Sequence, residues 1–139
     1  METEPKPNGP EDKEKLSLKV IIADDEKMLR GMLKTMLEGM GHTVKMVGDG
    51  KQLFDELNGS ENFDLIISDN SMPEKRGIEV LTEIRGIEKL QRVPFILSTT
   101  DTGDLEQRVN ELGGLYLSKP YGFRELEQAI DTVMKDRKS

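Results

Sequence analysis

Five short apolar runs, separated by stretches in which apolar residues recur every three or four positions, leave this 139-residue chain very few folds to choose from. The runs are 18–23, 43–47, 65–68, 94–99 and 115–118. Apolar runs this short, bounded by turn formers, predict strands, and nearly continuous apolar character predicts strands covered on both faces. Pro94 sits at a strand's tolerated first position. Between the runs the spacing predicts helices. The first, over 26–39, carries one line of Leu29, Leu33 and Leu37 and a second of Met28, Met32, Met36 and Met40. The second covers 51–57 with Leu53, Phe54 and Leu57 inward, and the third 77–84 with Ile78, Leu81 and Ile84 on one face. The fourth, over 104–112, has only Leu105, Val109 and Leu112, and the fifth, over 123–135, turns Phe123, Leu126, Ile130, Val133 and Met134 inward. Strands alternating with helices in this way call for an α/β doubly wound parallel sheet with right-handed crossovers.

Residues 1–17 combine Pro5, Pro7, Asn8, Gly9 and Pro10 with charge and almost nothing apolar. Such a segment cannot offset its ordering entropy, so a disordered charged tail is expected, followed by one domain over 18–137. With 27 acidic and 20 basic residues the net charge is −7, and no Lys/Arg patch stands out, which argues against direct nucleic-acid binding. The absence of cysteine removes disulfides and thiolate metal sites. No apolar run approaches the roughly 20 residues of a membrane span. The N-terminus also lacks a signal peptide's basic and apolar regions, so a soluble cytoplasmic protein without membrane contact is expected.

Each functional-looking residue lies at or just past the carboxyl end of a run. Asp24 and Asp25 follow the first, Asp69 the third, Thr99 ends the fourth, and Lys119-Pro120 follows the fifth. In a parallel sheet those ends share one edge, which is where ligands bind. After Asp69, Pro73 and Gly77 delay the next helix. Singly, Asp69 reads as a turn cap, Lys119 as a solvated loop lysine and Thr99 as a β-former. Together they read as a site. Three carboxylates brought close repel one another unless a cation joins them. With oxygen ligands only, no cysteine, and a single His42 that follows a helix-ending glycine like a surface residue, the expected cation is Mg²⁺, or Mn²⁺. An acidic trio, a divalent metal, a lysine and a hydroxyl suit a phosphoryl group, with one carboxylate as nucleophile.

At these residues the chain resembles the CheY-like receiver domain of two-component response regulators, over about 18–135. The marks are Asp24-Asp25, Asp69 with Met72-Pro73 and Gly77, Thr99, Tyr116 and Lys119-Pro120. The resemblance implies a flavodoxin-like sheet of order 2-1-3-4-5. It implies that Asp69 accepts a phosphoryl group from a phosphohistidine of a histidine kinase or phosphotransfer protein. It assigns Mg²⁺ to Asp24, Asp25, Asp69 and the backbone carbonyl of Ser71. Lys119 and the Thr99 hydroxyl would bind phosphoryl oxygens, helped by backbone N–H groups near Asn70 and Thr100, and the bond to Pro120 would be cis. Movement of Thr99 would let the Tyr116 ring turn inward, reshaping the surface of the fourth helix, fifth strand and fifth helix for a downstream protein. A domain of this kind assists its own phosphorylation and dephosphorylation and has no metabolic substrate, so it is not an enzyme in that sense.

Kinase helices in this family dock near the first helix. Met28 or Met32 is therefore expected partly exposed at the partner interface, the plainer reading being core packed beside the leucines. Thr100 departs from the small residue common after the switch threonine. Ser71 and Asp101 fall at variable positions that affect phosphoryl lifetime, and Asp101 adds negative charge that disfavours hydroxide-like attack. The segment 99–119 looks slightly short, which allows a trimmed fourth helix. The chain ends soon after the fifth helix, so a stand-alone regulator is expected; the alternative within the class is a receiver fragment of a larger regulator whose output domain was removed. A haloacid-dehalogenase-type phosphatase would place its nucleophile after the first strand in a D-x-D spacing and carry a cap domain. A flavodoxin-like nucleotide or flavin binder would need a glycine-rich first turn, and a pseudo-receiver would lack an acceptor residue.

Overall fold

The computed structural model describes residues 17–138; the expected tail over 1–17 therefore lies, but for Ser17, outside the described residues. Five strands, β1 (Lys19–Ala23), β2 (Thr43–Val47), β3 (Leu65–Asp69), β4 (Phe95–Thr99) and β5 (Leu115–Ser118), form one parallel sheet of order β2-β1-β3-β4-β5. The helices are α1 (Lys27–Gly39), α2 (Gly50–Leu57), α3 (Gly77–Ile84), α4 (Leu105–Glu111) and α5 (Phe123–Lys138). The fold class and strand order agree with expectation. A 3₁₀ turn at Glu88–Leu90 was not foreseen.

Side chains alternate across a strand, so the central strands feed two cores. Ile21, Ala23, Ile66, Phe95 and Leu97 pack with residues of α2, α3 and α4, including Leu53, Leu81 and Val109. Val20, Ile22, Leu65, Ile67 and Ile96 pack on the other face with Leu33 and Leu37 of α1 and Leu126, Ile130 and Val133 of α5. Burying a Leu, Ile or Phe side chain is worth about 1.5–3 kcal/mol, so this covering, more than intrinsic propensity, holds short strands in a central position.

Helix ends follow local chemistry. Asp49 caps α2 by accepting the Gln52 N–H at 2.8 Å, which starts that helix at Gly50, one residue before the expected 51. α1 ends where Gly41 turns left-handed (φ 99°), allowing its N–H to reach Glu38 O at 3.0 Å and the His42 N–H to reach Leu37 O at 3.1 Å. α4 ends in the same way at Gly113 (φ 73°). It is seven residues long, the trimmed helix that the short 99–119 segment allowed.

Two readings of side chains are corrected. Phe123 is 46% exposed rather than inward, because it opens α5 a turn ahead of Leu126, where the buried face of that helix begins. His42 is half-buried rather than a free surface residue: its Nδ1 accepts the Leu18 N–H at 3.1 Å across the start of β1. Burial holds its pKa below the usual 6.5. The unfolded chain therefore binds the extra proton more readily, so stability is full above pH 6.5 and declines as pH falls through that value. Denaturant titrations at pH 7.5 and 5.5 check this. His42→Asn, which keeps an acceptor near the Nδ1 position, is expected to flatten the difference.

Candidate functional site

The acidic cluster forms where β1 and β3, paired side by side, run out together. Asp24 and Asp69 are buried, Asp25 is exposed, and the three offer carboxylate oxygens that lie within 4.8 Å of one another. Asp69 is the last residue of β3 itself, so the strand holds its backbone. Asp24 is held from three sides: its Oδ1 accepts the Glu26 N–H at 2.9 Å, its carbonyl accepts from Arg30 at 2.7 Å, and Oδ2 meets Lys119.

Lys119 reaches the cluster from the end of β5. Its Nζ lies 3.1 Å from Asp24 Oδ2 and 3.4 Å from Asp69 Oδ1. The Lys119 N–H is anchored on Thr99 O at 2.9 Å, and the Lys119-Pro120 peptide is cis. Burial opposes the charge on Lys119, but the hydrogen bond to Asp24 and the attraction of Asp69 outweigh it, so the ammonium keeps its proton above the usual lysine range. Burial raises the Asp69 pKa; Lys119 works against that rise, and the Asp24 charge adds to it. Asp69 Oδ1 also accepts the Asn70 N–H at 2.9 Å. Among the described residues no hydrogen bond or ion pair falls on Asp69 Oδ2, which leaves that oxygen for a ligand.

The remaining expected residues divide. Thr99 is buried, and its Oγ1 accepts the Asp101 N–H at 3.0 Å; its partner is not Asp69. Tyr116 is half-buried against the α2–α4 core, with its hydroxyl donating to the Asp101 carbonyl. Ser71 and Thr100 are exposed, and the Ser71 hydroxyl reaches Asp101 Oδ2 at 3.5 Å. Met36 and Met40 pack partly buried on the α1 core, whereas Met28 and Met32 are 77% and 54% exposed, so the methionine line is half core and half surface.

Sequence reasoning missed the Asn70 side chain, buried and bonded at both ends, since an amide after a strand-ending acid carries no distinctive spacing. It also missed why glycine is needed at 50 and 77. A Cβ on Gly77 would strike the Asp69 carbonyl oxygen, and one on Gly50 the Lys75 carbonyl oxygen, so both glycines let neighbouring backbone close around the loop after Asp69.

The donor set suits a hard divalent cation: three carboxylates, with Lys119 balancing only part of their charge. Among the described residues no helix is long and apolar enough to cross a membrane.

Comparisons with known proteins agree with this geometry. The family described as response regulator receiver domain matches residues 20–131. The transcriptional regulatory protein CpxR of Escherichia coli K12 is 34% identical over 119 residues, which are 84% of this chain and 49% of CpxR. The chain thus spans about half the length of that relative. A chemotaxis protein CheY homolog of Campylobacter jejuni is 28% identical over 84% of this chain and 92% of its own length. Among solved structures, CheY4 of Vibrio cholerae superposes with a TM-score of 0.76 at 28% identity, covering 85% of this chain and 99% of its own. The response regulator TrrA of Thermotoga maritima, in complex with Mg²⁺-BeF, gives 0.73 at 27% identity with the same coverages. With the acidic cluster, its lysine and the strand order already in place, the chain belongs to the response regulator receiver domain family.

Proposed function

We propose that the chain is a phosphoacceptor in a two-component phosphorelay, taking a phosphoryl group on Asp69 in a Mg²⁺-dependent reaction. The observation that carries this reading is Lys119 bridging Asp24 and Asp69, with Asp25 completing the cluster. Asp24, Asp25, Asp69 and the Ser71 carbonyl would hold Mg²⁺, which when bound offsets negative charge on phosphoryl oxygens. The Mg²⁺-BeF complex of TrrA supports the choice of metal.

The donor is a phosphohistidine on a histidine kinase or phosphotransfer protein. Asp69 Oδ2 attacks phosphorus while the P–N bond breaks; the electron pair of that bond stays on the imidazole nitrogen, and an acyl phosphate forms on Asp69. The Asn70 N–H and Lys119, both on Oδ1, fix the carboxylate so that Oδ2 faces the donor. Lys119 then neutralises a phosphoryl oxygen, and the Thr99 hydroxyl and the Thr100 N–H donate to others. Thr99 must turn away from the Asp101 N–H to do so. That turn frees the contact through which Tyr116 is held and reshapes the α4-β5-α5 face for a protein target.

Labelling by radioactive acetyl phosphate tests the reading. Incorporation is expected with Mg²⁺, lost with chelator and lost in Asp69→Asn; incorporation that persists in the variant places the acceptor elsewhere. The donor protein is assigned to the exposed Met28 and Met32 on α1. Met28→Ala and Met32→Ala are expected to slow phosphotransfer from the donor protein by roughly fivefold or more. Acetyl phosphate labelling and thermal stability should stay unchanged. Native transfer rates in both variants would move the docking surface off α1.

A further inference from the structure

The acceptor chemistry uses Asn70 only through its backbone, yet the Asn70 side chain is buried and bonded at both ends. Its Oδ1 accepts the Ile78 N–H at 2.9 Å, in the first turn of α3. Its Nδ2 donates to Asp101 Oδ2 at 3.0 Å, in the loop between β4 and α4. Asp101 in turn holds both groups that the switch would move. Its N–H donates to Thr99 Oγ1, and its carbonyl accepts from Tyr116. A path of hydrogen bonds therefore runs from Asp69, through Asn70 and Asp101, to Tyr116.

We infer that the Asn70 side chain is a positioning residue, a latch on Asp101 that keeps the β4–α4 loop in its resting arrangement and sets how readily the switch is thrown. The inference rests on Asp69 being the acceptor. Residues 100–104 are all exposed, so no apolar burial fixes this loop and polar contacts decide its position. Of those, the amide-to-carboxylate bond is charge-assisted and hence among the stronger; the Ser71 bond to the same oxygen is longer, at 3.5 Å. A dianion on Asp69 adds negative charge beside the latch and draws the Thr99 hydroxyl away from the Asp101 N–H. The latch opposes both movements, so weakening it raises the population of the released loop and the apparent affinity for a phosphoryl group.

A double-mutant cycle tests this on the full chain, with Mg²⁺ and beryllofluoride as the probe. Asn70→Ala is expected to tighten beryllofluoride binding about three- to tenfold more when Asp101 is present than when Asp101→Ala is in place, the range of one such hydrogen bond. The lost Ile78 bond is common to both backgrounds and cancels in the cycle. Asp101→Asn, which keeps an oxygen for Nδ2, is expected to restore the dependence on Asn70. The second readout needs no ligand. With Tyr116 and Tyr121 the only tyrosines, the fluorine resonance of fluorotyrosine-labelled Tyr116 should move in Asn70→Ala and in Asp101→Ala toward its beryllofluoride-bound position. Additive effects in the cycle, or an unmoved Tyr116 resonance, overturn the latch. Failure of the wild type to bind beryllofluoride would instead strike the acceptor reading, with the ligand-free resonance still deciding the latch. Should Asn70→Ala not fold, Asp101→Ala at its exposed position carries the same resonance test.

Discussion

Gly77→Ala is expected to destabilise the domain by about 3 kcal/mol, the upper part of the range for forcing a methyl group into filled space. For a domain of this size that corresponds to a fall in Tm of about 10 °C. The glycine is the first residue of α3, and its backbone is not left-handed, so conformational freedom is not the reason for it. Space is. An added Cβ would meet the Asp69 carbonyl oxygen, the Leu97 Cδ1 at 2.6 Å and the Ser68 Oγ at 3.0 Å. The leucine can shift, but the carbonyl belongs to the strand that presents the acceptor, and the Gly77 N–H is bonded to Asn70 O at 3.1 Å. Relief therefore has to come from moving α3 or the acceptor backbone. Acetyl phosphate labelling should fall along with Tm, at temperatures where the variant is still folded. Gly50→Ala should behave similarly, since its Cβ would meet the Lys75 carbonyl of the loop after Asp69. Gly31→Ala is the control. Nothing lies within 4 Å of a Cβ there, and a glycine inside α1 costs helix stability, so a gain of about 0.5–1 kcal/mol is expected. Calorimetry of the three variants separates close packing from loss of glycine as such; a Gly77→Ala protein as stable as the wild type would refute the packing argument.

These glycines mark where sequence reading stops. Strands and helices were legible because burial on two faces writes itself as short apolar runs and recurring leucines; Thr43–Val47, Gly77–Ile84 and Leu115–Ser118 lie where the pattern placed them. The convergence of Asp24, Asp69 and Lys119 was legible too, because parallel strands carry their carboxyl ends to one edge whatever the loops do. Gly77 looked like a helix breaker, whereas its role is to leave room, which depends on a backbone eight residues away. Asp101 could be noticed as a charge near the site, but its bonds to Asn70, Thr99 and Tyr116 depend on how an exposed loop folds back. Periodicity says nothing about that. Phe123 failed for a related reason: helical spacing points it inward, and only the fold shows that the buried face of α5 begins a turn later, at Leu126.

Asp69→Asn is expected to abolish labelling and, in metal-free buffer near neutral pH, to make the protein more stable. The sign follows from the direction of the Asp69 pKa. Burial raises it in the fold, with the Asp24 charge adding to the rise and Lys119 only partly opposing it. Between the unfolded carboxylate value near 3.9 and the raised folded value, the native state binds the extra proton, so stability falls as pH rises through that window. Above the window the ionised Asp69 remains a standing cost, which the neutral amide removes. Lys119 keeps its 3.1 Å bond to Asp24 in the variant, so no charge is orphaned by the change. The advantage of the variant should shrink as pH drops below the window, where wild-type Asp69 is itself neutral. Mg²⁺ should reverse the order. A ligand that binds only the folded state stabilises it by about 2.7 kcal/mol at a hundredfold excess over Kd. The wild type, with three carboxylates, is expected to gain this, whereas the variant, with two, gains much less at the same concentration. Thermal denaturation of both proteins, with chelator and with Mg²⁺, gives four melting temperatures. The expected crossing of their order is specific to a carboxylate kept at a stability cost for the sake of a cation. If Asp69→Asn is the less stable protein under chelator, the electrostatic account of the site is wrong even should Asp69 prove to be the acceptor.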